Sequence, residues 1–218
     1  MDRIPVYFMP GMAASSTIFE KINLPEAQFE IHLLEWFMPE ENETLQNYAQ
    51  KMCQKITHDN PVLIGVSFGG ILVQEMTQLI ATRKTIIISS VKTNKELPRR
   101  MKIAKTTKAY KLLPTSLLQN IEDLVKYAFG DKIKKRLALY EKFLSMKDKK
   151  YLDWAIEQVV CWNREQIDEK VIHIHGDADE VFPSKNIKNF IIVKGGTHLM
   201  IVNRYKWFNS NLPHIILE

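Results

Sequence analysis

The sequence predicts an α/β protein with three layers: a mostly parallel sheet of about six strands and helices on both of its faces. Short continuous apolar runs, typical of strands buried on both faces, alternate with segments whose apolar residues recur at helical spacing. The length of 218 residues suits one such domain with a sizeable core and is short for two. In chain order the apolar runs span residues 4–9, 29–36, 61–66, 84–91, 170–175 and 189–194.

Three of the intervening segments predict helices. Residues 42–56 place apolar side chains at helical spacing and begin at Asn42, a candidate N-cap. Residues 70–81, which follow Ser67, predict a largely buried helix, and residues 199–212 predict another after the last strand. This regular alternation favours an open, doubly wound sheet.

Residues 96–164 interrupt the alternation. The segment contains no convincing strand, only helical pattern broken at Pro98, Pro114 and Gly130, and it is too long for an ordinary connection between a strand and a helix. We therefore expect residues 1–95 and 165–218 to form the core, with residues 96–164 as a helical cap inserted above the sheet.

The formal charge of +5 is unevenly distributed along the chain. Residues 99–150 hold 15 Lys or Arg against 5 Asp or Glu, which is an excess of ten positive charges. Such a basic segment either attracts an anionic substrate or is only a solvated helix face. No nucleic-acid motif accompanies these charges, so we expect no nucleic-acid partner.

The remaining composition indicates the compartment. Cys53 and Cys161 make neither a disulfide framework nor a metal motif, and no apolar stretch approaches the length of a membrane span. Residues 1–12 lack the long apolar region of a signal peptide. We expect a cytoplasmic protein without a membrane span, a metal or a cofactor, while the oligomeric state is left open.

Reactive side chains follow several predicted strands, at the edge of the sheet where sites form in this class of fold. Ser67 follows the third run, the carboxylates of GDADEVFP (176–183) follow the fifth, and His198 follows the sixth. A serine hydroxyl needs a neighbouring base to take its proton, a histidine can be that base, and a carboxylate can orient the imidazole. The chain order of serine, acid and histidine therefore predicts a serine nucleophile.

Three motifs in this order resemble the α/β-hydrolase superfamily, in its compact branch with a helical cap. GVSFGG (65–70) resembles the nucleophile elbow, HGDADEVFP (175–183) the segment of the acid, and GGTH (195–198) the histidine loop. The resemblance implies a sheet that begins at the family's third strand. It also implies Ser67 as the nucleophile, Asp179 as the acid and His198 as the base.

The resemblance further implies two backbone donors for an oxyanion. They are the N–H groups of Phe68, the residue after the nucleophile, and of Met12, in a loop that reads PGM instead of the frequent His-Gly pair. Asp177 and Glu180 are competitors for the role of the acid, with Asp177 a candidate for binding backbone amides of the turn. His175 is interpreted as structural.

The implied activity is hydrolysis of a small ester or thioester through an acyl-enzyme. Two alternatives remain open: a C–C bond hydrolase on the same triad, and a small-ligand receptor with little turnover. Candidate substrate contacts are apolar side chains near the predicted site, each of which has core packing as an equal alternative. They are Trp36, Trp154, Trp162 and Phe182.

Overall fold

The computed structural model describes residues 2–112 and 143–218. Pro114 and Gly130, the predicted breaks within the insertion, lie outside the described residues. Among the described residues, no helix is both long enough and apolar enough to cross a membrane.

The sheet has six strands in the described part of the chain, and every strand pair is parallel, which confirms the predicted fold class. Their order is β2-β1-β3-β4-β5-β6. The strands are β1 (Ile4–Met9), β2 (Phe29–Leu33), β3 (Val62–Val66), β4 (Lys84–Ile88), β5 (Val171–Gly176) and β6 (Ile191–Val193).

Two strands end three residues earlier than their apolar runs. The fourth run was expected to extend to residue 91, but Ser89 has a φ of 48°, which breaks the extended backbone. The second run was expected to reach residue 36, but strand pairing ends at Leu33. The apolar residues that follow β2 and β4 therefore lie beyond the carboxyl ends of these strands.

Strand order places a crevice beside β1. The chain passes from β1 to β2 on one side and later returns to β3 on the other side of β1. In an open parallel sheet, ligands bind outside the carboxyl ends of the strands at such a reversal of order. Ser67 follows β3 directly, so it lies at this crevice.

Helices cover both faces of the sheet. Successive residues of a strand point to opposite faces, so Tyr7 and Met9 belong to one buried cluster while Val6 and Phe8 belong to the other. Side chains of α1, α2 and α4 complete the first cluster, and those of α5 and α6 complete the second. The helices are α1 (Leu45–Cys53), α2 (Phe68–Met76), α3 (Arg99–Thr107), α4 (Lys149–Cys161), α5 (Met200–Asn203) and α6 (Tyr205–Leu217).

Two details of the helices differ from the sequence interpretation. The N-cap of α1 lies two residues later than predicted: it is Thr44, whose hydroxyl accepts from the Asn47 N–H at 3.2 Å. Asn42 instead has a φ of 56°. The helical segment after the last strand is divided at Arg204, whose φ of −114° and ψ of 22° are not helical.

The predicted insertion contains α3 and α4 among its described residues. Tyr151, Leu152 and Ala155 of α4 are completely buried in the cluster that also contains Phe68, so α4 packs on the residues beside Ser67. The division into a core and a cap over residues 96–164 stays a prediction, because residues 113–142 are not described.

Candidate active site

The turn between β3 and α2 holds Ser67 in a strained conformation. Only this residue separates Val66, the last residue of β3, from Phe68, the first of α2. Its φ of 52° and ψ of −118° are unfavourable for a residue with a side chain. The Ser67 N–H donates to the Ile88 carbonyl at 2.9 Å and its carbonyl accepts from Ser90 Oγ at 2.7 Å, so the end of β4 and the residues after it stabilise the turn.

Glycines permit a close approach of backbone segments around this turn. A Cβ atom on Gly65 would lie 2.3 Å from the Gly69 carbonyl oxygen, and one on Gly69 would lie 2.3 Å from the Pro10 carbonyl oxygen. Both separations are far shorter than the van der Waals contact distance between carbon and oxygen. The first turn of α2 therefore packs directly on β3 and on the loop after β1.

We expect Gly65→Ala to lower the free energy of unfolding by about 3 kcal/mol, because backbone atoms that cannot rotate away would have to shift. Thermal unfolding followed by circular dichroism measures the effect. Gly11→Ala is the matched control, since the nearest atoms to its Cβ are 3.5 and 3.6 Å away. Equal destabilisation by the two substitutions would contradict the close-packing explanation.

The structure brings Ser67, His198 and Asp179 together in one hydrogen-bonded chain. His198 Nε2 lies 2.9 Å from Ser67 Oγ, and His198 Nδ1 lies 2.9 Å from Asp179 Oδ2. Asp179 and His198 are buried, with 4% and 9% of their surface exposed. When Nδ1–H donates to the carboxylate, Nε2 presents its lone pair to the serine hydroxyl, as a general base requires.

The surroundings of Asp179 favour its ionised form. Its Oδ1 accepts from the N–H groups of Val181 at 2.8 Å and Phe182 at 3.0 Å. Burial raises the pKa of the carboxyl, but the attraction of His198 and the hydrogen bonds outweigh this effect and hold the pKa below its ordinary value. A buried, ionised and fully hydrogen-bonded carboxylate can stabilise a protonated imidazole.

The competing acids have other positions. Asp177 Oδ1 accepts from the Gly195 N–H at 2.6 Å and so joins the loop after β5 to the loop after β6. The Glu180 side chain is exposed, and its backbone carbonyl accepts from Arg100. Of the three acids in this loop, the structure brings Asp179 to His198.

His175 is buried and bonded to the scaffold of the site. Its Nε2 donates to the Phe182 carbonyl at 2.8 Å, while its Nδ1 lies 3.1 Å from His173 Nε2. Burial lowers the pKa of His175, which favours a neutral ring. This arrangement agrees with a structural role in holding the Phe182 backbone beside Asp179.

The segments that carry the two predicted oxyanion donors lie close to Ser67. The Phe68 N–H belongs to the first turn of α2, where backbone N–H groups have no intrahelical acceptor. A Cβ on Gly11 would lie 3.5 Å from the Ser67 Cβ, so the loop that carries Met12 passes directly beside the serine. Both segments therefore lie beside Ser67, while the role of the two N–H groups as oxyanion donors stays a prediction.

Trp36 connects the two segments that carry these donors. Its ring stacks on Phe68 with 4.8 Å between centroids and 7° between planes, and its Nε1 donates to the Gly11 carbonyl at 2.7 Å. Tyr151 adds a further contact to the loop, because its hydroxyl accepts from the Ala13 N–H at 3.2 Å. Sequence reasoning missed Tyr151, although its spacing of three residues from Trp154 on α4 places both on one helix face.

The other predicted pocket residues have different surroundings. Phe182 packs edge-on against the His198 ring with centroids 5.5 Å apart, and Trp154 packs edge-on against Phe68 at 5.7 Å. Trp162 instead donates from Nε1 to Glu75 Oε1 at 3.0 Å, near the end of α2. The structure therefore brings Trp154 and Phe182 to the site, whereas Trp162 forms its hydrogen bond away from Ser67.

Comparison with solved structures identifies the fold. A bromoperoxidase from Bacillus anthracis aligns with a TM-score of 0.68 at 19% identity, covering 99% of this chain and 92% of that one. A carboxylesterase from Nitrososphaera gargenis aligns at 0.67 and 14% identity, covering 99% and 90%. A thermophilic esterase from Thermogutta terrifontis aligns at 0.66 and 11% identity, covering 98% and 89%.

The chain therefore has the α/β-hydrolase fold, and the resemblance inferred from its three motifs is confirmed at the level of the fold. The sequence matches no protein-family model and no curated protein sequence at a significant level.

Proposed function

We propose that the protein is a serine hydrolase that cleaves a small carboxylic ester or thioester through an acyl-enzyme intermediate. The observation that carries the proposal is the chain of two 2.9 Å hydrogen bonds from Ser67 through His198 to Asp179, with Ser67 held on a strained turn. The fold shared with esterases of known structure supports it.

In the proposed acylation step, Ser67 Oγ attacks the carbonyl carbon of the substrate while His198 Nε2 takes the hydroxyl proton. The N–H groups of Phe68 and Met12 bind the oxyanion of the tetrahedral intermediate. As the intermediate collapses, the carbon–oxygen or carbon–sulfur bond of the leaving group breaks and His198 returns the proton to the departing alcohol or thiol.

Water then takes the place of the leaving group. His198 accepts a proton from water, the resulting hydroxide attacks the acyl carbon, and His198 finally protonates Ser67 as the carboxylic acid leaves. The ionised Asp179 stabilises the imidazolium in both steps. The cycle consumes one water molecule and one substrate molecule and needs no other reactant.

The aromatic residues near Ser67 support a small acyl group. Trp36, Trp154 and Phe182 are 6%, 8% and 2% exposed, and each is engaged in ring stacking or edge contacts with its neighbours. A close-packed aromatic wall of this kind offers apolar contact to a small acyl group bound at Ser67.

Reaction with a fluorophosphonate probe and a series of p-nitrophenyl esters tests the proposal. We expect the folded protein to acquire one covalent adduct, to hydrolyse the acetyl and butyryl esters and to turn over the decanoyl ester much more slowly. Heat-unfolded protein is the control for nonspecific labelling. A folded protein that neither reacts with the probe nor hydrolyses esters would favour the receptor alternative.

A further inference from the structure

Three side chains of the kind that bind transition metals lie together at the edge of the sheet. They are Glu30 and His32 on β2 and His58 in the loop after α1, and one ligand atom from each lies within 4.8 Å of the other two. All three residues are half-buried.

The topology of the sheet explains why these residues meet. Glu30 and His32 are two positions apart on an edge strand and therefore share one face. That face is the one covered by α1, and the loop after α1 brings His58 across it before entering β3. This loop precedes β3, whereas Ser67 follows it, so the cluster and the proposed active site belong to opposite ends of the strands.

His32 presents a nitrogen that has no hydrogen-bond partner. Its Nε2 is buried and unsatisfied, although it lies 3.2 Å from Glu30 Oε1. Two ligands of a tetrahedral Zn²⁺, with bonds of about 2.0–2.1 Å, lie about 3.3 Å apart. The observed separation of these two atoms is therefore the one that a shared metal ion requires.

His58 is positioned through its other ring nitrogen. Nδ1 lies 2.7 Å from the Tyr7 hydroxyl, which also accepts from the Thr57 N–H at 3.1 Å and lies 3.1 Å from Thr57 Oγ1. When Nδ1–H donates to Tyr7, with Thr57 Oγ1 as a second acceptor at 3.3 Å, and the tyrosine proton goes to Thr57 Oγ1, Nε2 keeps a free lone pair. A metal-binding histidine is commonly oriented by such a bond to its second nitrogen.

Charge and stacking also shape the cluster. Arg3 donates to Glu30 Oε2 at 2.8 Å, so it orients the carboxylate and leaves Oε1 towards His32. The Tyr7 ring stacks on His32 with centroids 4.6 Å apart, which fixes the plane of that imidazole.

We propose that Glu30, His32 and His58 form a binding site for Zn²⁺ or a similar first-row divalent cation, separate from the proposed active site. Two imidazoles and one carboxylate are a suitable ligand set for Zn²⁺, with water in the fourth position. Bound metal would join the edge strand β2 to the loop between α1 and β3. Short-range motifs do not reveal the site, because His58 meets the other two ligands only through the fold.

Titration of the tag-free, full-length chain with zinc against a chromophoric chelator tests this site. We expect one tight Zn²⁺ per chain, with binding weakened by more than about tenfold in His32→Gln and in His58→Gln. His214→Gln, which changes an exposed histidine on α6, is the matched control and should bind as the unchanged chain does. Unchanged affinity in both His32→Gln and His58→Gln would overturn the proposal, as would the absence of tight binding in the unchanged chain.

A second measurement needs no variant. Diethyl pyrocarbonate modifies accessible imidazoles, and mass spectrometry locates the modified positions. We expect one equivalent of zinc to protect His58 from modification and to leave His214 as reactive as before. Equal modification of His58 with and without zinc would overturn the assignment even if zinc binds elsewhere.

Discussion

Ser67→Ala is expected to reduce kcat for ester hydrolysis by about 10⁴-fold or more and to abolish labelling by a fluorophosphonate. The substitution removes the oxygen that forms the acyl-enzyme and leaves the backbone donors and the surrounding pocket in place. Residual hydrolysis would then come only from oxyanion stabilisation of attack by water. Steady-state kinetics on p-nitrophenyl acetate and intact-mass spectrometry after labelling measure the two effects.

Ser210→Ala is the matched control for this loss. The Ser210 hydroxyl lies on the exposed side of α6 and donates only to the Lys206 carbonyl one turn earlier. We expect kcat and labelling to be unchanged in this variant. If Ser67→Ala retained labelling at the same rate as Ser210→Ala, another nucleophile would have to be sought and the proposed mechanism would be wrong.

Asp179→Asn is expected to lower kcat by about 10⁴-fold while the protein remains folded. In the unchanged protein, the Val181 and Phe182 N–H groups donate to Oδ1 of Asp179. The amide oxygen of the substituted side chain can accept the same two bonds. The amide nitrogen, however, would donate to His198 Nδ1, so the proton of a neutral ring would move to Nε2. In that tautomer His198 has no lone pair to accept the Ser67 proton.

Asp177→Asn tests the same chemical change two residues away. An amide oxygen can replace Asp177 Oδ1 as the acceptor for the Gly195 N–H, so we expect kcat to fall by about threefold at most. Thermal unfolding of both variants separates loss of activity from loss of structure. A larger loss of kcat in Asp177→Asn than in Asp179→Asn would reassign the acid.

The parts of the fold and site that depend on local pattern could be predicted from the sequence. Continuous apolar runs located the six strands that the described residues form, because strands covered on both faces need no polar alternation. Chain order predicted that Ser67, the acids of 176–183 and His198 share one edge of the sheet, and the resemblance to the α/β-hydrolase superfamily selected Asp179 among those acids.

The rest depends on contacts that no local pattern encodes. Thr44 and Asn42 are both acceptable N-caps by residue type, and only the backbone conformation distinguishes them. The ends of β2 and β4 were overestimated because apolar residues continue into the turns that lead to the site. Trp162 and the cluster of Glu30, His32 and His58 acquire their partners through tertiary packing alone.

The indole of Trp36 gives the two proposed oxyanion donors a common support. One donor belongs to a helix and the other to a loop that is remote in sequence, yet the same ring stacks on Phe68 and donates to the Gly11 carbonyl. The distance between the donors is consequently set by a third segment, the chain that leaves the edge strand. A substitution at residue 36 would therefore loosen both segments at once, although residue 36 is adjacent to neither of them in sequence.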